Sequence, residues 1–230
     1  MIQLFADLGH LIFPNLCVAC ENELSRSEHH LCAFCESDLT LTNFHLIDKE
    51  ATPVDKLFWG RIELTSTYSH VFFEKNKASQ NILFNLKYKN KPQLGVFFGK
   101  KIGAAIVQLD SFQHVDAFIP IPLHPKKAFI RGYNQSEMLA RGICDAVNKK
   151  LDTSVIQRTH HTETQTKKSR FQRWDNVNEK FKVKDSIRNY KHVVLVDDVI
   201  TTGSTIESVA AALLKKNSSL SISVVTLAVA

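Results

Sequence analysis

The apolar positions of the chain alternate between two periods. Leu4, Leu8, Leu11 and Ile12 recur at helical spacing and predict an amphipathic helix that docks the start of the chain onto the rest of the molecule. Beyond residue 50, ASQNILFNLKYK and LGVFFGKKIGAAIVQL read as helices, VDAFIPIP as a buried strand, and GYNQSEMLARGICDAVNKK as a helix. HVVLVDDV then reads as a strand, STIESVAAALLKK as a helix and SISVVTLAVA as a last strand. Strands separated by helices predict an α/β fold, a mostly parallel sheet with helices on both faces. Ligands of such sheets bind beyond the carboxyl ends of the strands, so the loops after VDAFIPIP and after VVLVD are the places to look.

The second of these loops lies in VVLVDDVITTGST, residues 193–205. Four aliphatic residues belong in a buried strand, and burying a carboxylate is costly unless it is paired or at an exposed end. Asp197 and Asp198 are therefore expected at the mouth of a strand ending near residue 196. Thr201, Thr202, Gly203, Ser204 and Thr205 follow, hydroxyls around a glycine that lets backbone N–H groups turn inward, with a helix directly behind. Helix N-termini and such nests bind anions without a lysine. Carboxylates one step earlier can accept hydrogen bonds from hydroxyls attached to that anion, and a phosphate joined to a polyol is a ribose phosphate.

Charge changes this picture little. Lys and Arg number 29 against 23 Asp and Glu, a formal +6, which attracts polyphosphates of any size. The cations gather at residues 87–91, 126–131 and 158–173, a pattern of anion-binding loops that serves a small phosphorylated ligand or a polynucleotide equally. No stretch approaches the roughly 18 uninterrupted apolar residues of a membrane span, so an integral membrane protein is not expected. MIQLFADLGHLIF has no basic leading region and no small-residue cleavage pattern after it, and the expected location is the cytoplasm.

The cysteines add a separate module. Cys17-Val-Ala-Cys20 and Cys32-Ala-Phe-Cys35 are two C-x-x-C knuckles with eleven residues between them. Four thiolates complete the tetrahedral shell of Zn²⁺ and leave no open position, which is a structural site. Two disulfides are the alternative, disfavoured without a secretory signal. His29 and His30 are spare ligands, and Cys144, among Ile143, Ala146 and Val147, reads as a buried small hydrophobe. A linker, IDKEATP, divides the chain into residues 1–50, a helix and zinc module, and residues 51–230, the main domain. Residues 159–178, polar and charged with aromatics, form a long insert, either a lid or a solvated excursion.

VVLVDDVITTGST resembles the phosphoribosyl-pyrophosphate signature of type I phosphoribosyltransferases, although many members carry a second glycine where Ser204 stands. Together with the cysteine knuckles, LKYKNKP, IPIPLHPKKAFIRGYNQSEMLARGI and RTHHTETQTKKSRFQRWDNV, it makes nearly the whole chain similar to the ComF family, which joins a four-cysteine zinc module to a phosphoribosyltransferase-like domain. The resemblance implies that Asp197 and Asp198 hold ribose hydroxyls and residues 201–205 the 5-phosphate. Lys126 and Lys127 of the turn HPKK, and Arg131 beyond it, are candidate donors to a pyrophosphate that Mg²⁺ would bridge to ribose oxygens, with Lys87 more distant. The insert, with Arg158, Lys168, Arg170 and Arg173, would be a lid, and Phe171 and Trp174 could stack on single-stranded DNA. Family membership implies a part in natural competence, moving single-stranded DNA across the inner membrane with a helicase-like partner, and a station at the membrane's inner face. The alternative is an active Mg²⁺-dependent phosphoribosyltransferase with an unidentified acceptor. No base pocket is recognisable from which to choose one.

Overall fold

The apolar run of residues 193–196 does enter the middle of a sheet, in a computed structural model that describes residues 14–46, 51–159 and 180–230. The expected helix through Leu4 to Ile12, part of the linker, and Lys168, Arg170, Phe171, Arg173 and Trp174 of the insert fall outside the described residues. In chain order the elements are α1 (Ala33–Ser37), α2 (Pro53–Lys56), β1 (Ser66–Phe72), α3 (Ala78–Tyr88), α4 (Pro92–Ile106), α5 (Asp110–Gln113), β2 (Ala117–Pro120) and α6 (Pro125–Arg131). They continue as α7 (Gln135–Val147), β3 (Lys150–Leu151), β4 (Ile156–Arg158), β5 (Phe181–Val183), β6 (His192–Ile200), α8 (Ser204–Lys216) and β7 (Ser221–Val229). Five strands form one sheet in the order β1-β7-β6-β2-β3, every neighbouring pair parallel. β4 and β5 form a separate antiparallel pair.

Side-chain alternation along β6 sends its residues to opposite faces. Val194 and Val196 join Leu94, Phe98, Ile102, Leu139 and Ile143 from α4 and α7 on one face. Val193 and Leu195 meet Ile206, Val209 and Leu213 of α8 on the other. The expected two-sided layering is therefore present. Leu94, Phe98, Ile102 and Ile106 recur every fourth residue along α4, each at most 1% exposed, and each such side chain contributes about 1.5–3 kcal/mol by leaving water. No helix among the described residues is long and apolar enough to cross a membrane.

Three features differ from the expectation. β1, STYSHVF, is a strand the apolar pattern does not announce, because its inward polar groups are paired: Ser69 Oγ lies 2.6 Å from Thr226 Oγ1 and Tyr68 Oη 3.0 Å from His70 Nδ1. The segment HPKK is not a turn but the first turn of α6, with Pro125 at its start and His124 Nδ1 accepting from the Lys126 N–H. At the end of the expected linker, Thr52 and Pro53 open α2 through a reciprocal cap between Thr52 and Asp55.

Candidate functional site

β6 does not end at residue 196. Its pairing with β7 runs on through Asp197↔Thr226 to Ile200↔Val229, whereas its pairing with β2 stops at Pro120↔Val196. Asp197 and Asp198 thus lie inside a strand, at the level where the neighbour on one flank has ended. The opening is on the β2 side at the level of the acids, which stay paired with β7 on the other flank. This is why a carboxylate pair can follow four buried aliphatic residues.

Two elements complete the surroundings. Asn134 caps α7, accepting from the Ser136 N–H at 3.2 Å while its Nδ2 donates to Ile121 O at 3.0 Å, so the start of α7 is tied to the end of β2. The Ser136 hydroxyl then donates to Asp197 Oδ1 at 2.9 Å, and the Asp198 N–H donates to the same oxygen at 2.9 Å. From the last turn of α3, Lys87 Nζ reaches Asp198 Oδ2 at 3.3 Å, with both side chains mostly buried. Burial, and after it the neighbouring charge of Asp198, raises the Asp197 carboxyl well above the usual carboxylate range. The pair therefore carries less than two full negative charges near neutral pH.

The hydroxyl loop follows directly. Gly203 has φ of +72° and stands at the N-cap of α8 with no side chain capping that helix, which leaves first-turn N–H groups free to bind an anion. A Cβ at Gly203 would also come within 2.7 Å of the Phe58 ring, so both backbone conformation and space demand glycine here. Arg61 holds the loop from behind: Nη1 donates to Thr202 O at 2.8 Å and to Leu57 O at 2.8 Å, and Nη2 pairs with Glu207 Oε2. Asp197, Val199, Ile200 and residues 201–206 line one small cavity of about 40 Å³. The expected acid and loop residues are thus brought together, with Thr201, Thr202 and Ser204 exposed to an incoming group.

The expected cations are divided. Lys126 and Lys127 stand exposed on α6, while Arg131 bonds Gln135 Oε1 at 2.9 Å, beside Ser136. Lys87, the more distant candidate from sequence, is the cation in contact with the acids. Ser136 and Arg61 carry no signal in the sequence that marks them for the site. Arg158, at the end of β4, lies over the Phe181 ring of β5 at 5.4 Å, at the base of the insert.

The four cysteine sulfurs lie within 4.8 Å of one another. Cys20 Sγ and Cys32 Sγ are 3.7 Å apart, close to the ~3.8 Å separation that four Zn–S bonds of about 2.3 Å impose on a tetrahedron. The Cys32 N–H points to Cys17 Sγ at 3.4 Å and the Cys35 N–H to Cys32 Sγ at 3.5 Å, the outer contacts that orient metal thiolates. The group therefore fits a tetrahedral, thiophilic ion. His29 and His30 are not part of it: His29 is exposed, and His30 packs edge-on against Phe97 at 5.3 Å. None of the five cysteines is disulfide-bonded, and Cys144 is buried with its thiol pushed up to about 12 by that burial.

A model of the phosphoribosyl transferase domain matches residues 134–230, which run from the cap of α7 through β6, the loop and β7. The chain is 27% identical over 137 residues to the DNA utilization protein YhgH of Escherichia coli O6:H1, covering 58% of this chain and 60% of that protein. Competence protein F of Haemophilus influenzae is 36% identical over 102 residues, 44% of each chain. Competence protein ComFC of Bacillus subtilis is 23% identical over 152 residues, 66% of this chain and 60% of its own length. The chain thus spans less than two thirds of the length of each of these relatives. Its matched domain contains the acid-bearing strand and the hydroxyl loop that the shortened β2 leaves open, and in sequence the chain is similar to the competence and DNA utilization proteins over part of its length.

Proposed function

We propose that this protein serves DNA uptake in competence or DNA use, a reading supported by relatives named competence proteins and DNA utilization proteins, and that it binds phosphoribosyl pyrophosphate or a related ribose phosphate at the open flank of β6. The observation that carries the ligand reading is the small cavity in which Asp197 meets the loop of residues 201–205 at an uncapped helix N-terminus. In this reading Asp197 and Asp198 accept from the ribose hydroxyls, and the hydroxyls and N–H groups of residues 201–205 hold the 5-phosphate. In the same reading Lys87, in contact with Asp198, and Arg131, bonded to Gln135 beside Ser136, would meet the pyrophosphate together with the exposed Lys126 and Lys127. Mg²⁺ would arrive with the phosphorylated ligand and would supply positive charge to neutralise its pyrophosphate. Zn²⁺ is the ion proposed for Cys17, Cys20, Cys32 and Cys35, where it supplies folding energy that so short a polar segment lacks. Single-stranded DNA and a helicase-like translocating protein are the proposed partners, at the cytoplasmic side of the membrane.

Titration calorimetry with phosphoribosyl pyrophosphate and Mg²⁺ tests the ligand. Wild-type protein should bind, and Asp197→Asn with Asp198→Asn should weaken binding at least tenfold. Equal binding by the double variant removes the assignment. The intact acid pair and loop also favour a transferase, in which neutralising the leaving pyrophosphate stabilises an oxocarbenium-like state. Pyrophosphate release with a panel of bases, absent in the same double variant, would identify one.

A further inference from the structure

The outer face of α3 carries two aromatic rings that take no part in the core. Phe84 and Tyr88 are 48% and 58% exposed, one helical turn apart, with ring centroids 5.3 Å from each other. Each has a cation over it: Lys89 Nζ lies 5.9 Å from the Phe84 centroid and the Arg131 guanidinium 5.3 Å from that of Tyr88. Arg131 belongs to α6, which also exposes Lys126 and Lys127 and leaves Phe129 and Ile130 90% and 76% exposed. Among the described residues, no ion pair engages Lys89, Lys91, Lys126, Lys127 or Arg131. Lys87, on the same turn of α3, points inward to Asp198. The helix thus presents a lysine to the ribose-phosphate site and rings to solvent.

We infer that α3 and α6 together form a track for single-stranded nucleic acid, with bases stacking on Phe84 and Tyr88 and phosphates passing Lys89, Lys126 and Lys127. Flat exposed rings under cations match a polymer that offers a π-face and a negative charge at every step. Duplex nucleic acid hides its base faces, and an acidic protein would answer the cations but not the rings. The track adjoins the ribose-phosphate site through Lys87 and through the Arg131–Gln135 hydrogen bond beside Ser136. The inference rests on the DNA-handling reading above and locates the binding surface, which the aromatics of the insert do not supply among the described residues.

Fluorescence anisotropy of a labelled oligothymidylate with the full chain tests this at several salt concentrations. Phe84→Ala with Tyr88→Ala should weaken binding roughly tenfold or more at an unchanged salt slope. Lys126→Ala with Lys127→Ala should reduce that slope by roughly 0.7 for each phosphate that a lysine no longer neutralises. Tyr88→Trp should retain affinity, and a cooperative thermal melt of each variant checks its fold, which exposed positions should not disturb. If wild type binds and the aromatic double variant binds as tightly, the track is wrong and the DNA reading stands. If wild type prefers duplex, stacking is wrong. If wild type binds neither form, the direct DNA reading falls with it.

Discussion

Folding moves the protons of Asp197 and His70 in opposite directions. Burial and the adjacent Asp198 raise Asp197, so the native chain keeps a proton that the unfolded chain releases near the ordinary carboxylate value of about 4. Its contribution is therefore favourable in acid and is lost as pH rises from there toward the folded value. Burial, then Lys101 and His45, pushes His70 down to about 4, and its ring packs among Tyr68 and Phe98. Below about 6.5 the unfolded imidazole takes a proton that the native one refuses, so stability falls as pH drops through this range. The two slopes offset one another in wild type. Urea unfolding of Asp197→Asn should show a variant more stable than wild type at pH 8, by on the order of 2 kcal/mol, with the gap closing toward pH 4. A constant gap across that range would contradict the assignment. The same residue is the one proposed to bind ribose, so the variant should be steadier and bind the ligand more weakly.

The pairing of α4 with α7 decides how accurately the site is held. Gly99 and Gly142 face each other so closely that a Cβ at Gly99 would lie 2.2 Å from Leu139 O, and one at Gly142 2.1 Å from Val96 O. Neither neighbour is a side-chain tip that could swing away; both are backbone. Gly142→Ala must therefore push the helices apart, costing about 3 kcal/mol, or roughly 10 °C in Tm for a chain of this size. Because α7 begins at the Asn134 cap and delivers Ser136 to Asp197, ligand affinity should fall along with Tm. Melting and titration of Gly99→Ala and Gly142→Ala check this, and a Tm within about 2 °C of wild type would refute it. Helical periodicity announces both elements, while the close approach of their glycines shows only when the two helices pack.

Across the molecule, α3 joins the cysteine cluster to the acid pair. Asn81 Nδ2 donates to Ala19 O at 2.7 Å and Asn85 Nδ2 to Val18 O at 2.9 Å, while Lys87 reaches Asp198. Cys17, Val18, Leu24 and Leu31 are buried in the same core as Leu83 and Leu86, and Lys101 pairs with Glu36 of α1. A metal that orders the cysteine segment consequently orders the helix that holds one wall of the site. Cys17→Ser with Cys35→Ser should abolish metal binding and speed amide hydrogen exchange over Ala78–Tyr88. Metal loss with unchanged exchange in α3 would show the two regions to be uncoupled.

The sequence by itself determined the order of the long helices and core strands, the cysteine group and the acid–hydroxyl stretch. Each is written in local spacing: apolar periods, knuckles two residues wide, and consecutive residues on one strand and loop. Tertiary structure decided the rest, because it depends on where separate segments stop and meet. β2 ends four residues before β6, and this opens the flank at Asp197 and Asp198. Lys87 rather than Lys126 or Lys127 reaches the acids, since α3 packs beside them while α6 stays at the surface. Ser136 and Arg61 are ordinary residues that become neighbours of the site only when α7 and the segment after α2 fold against it. The polar strand β1 is stable only beside β7, whose Thr226 hydroxyl pairs with that of Ser69 within the sheet.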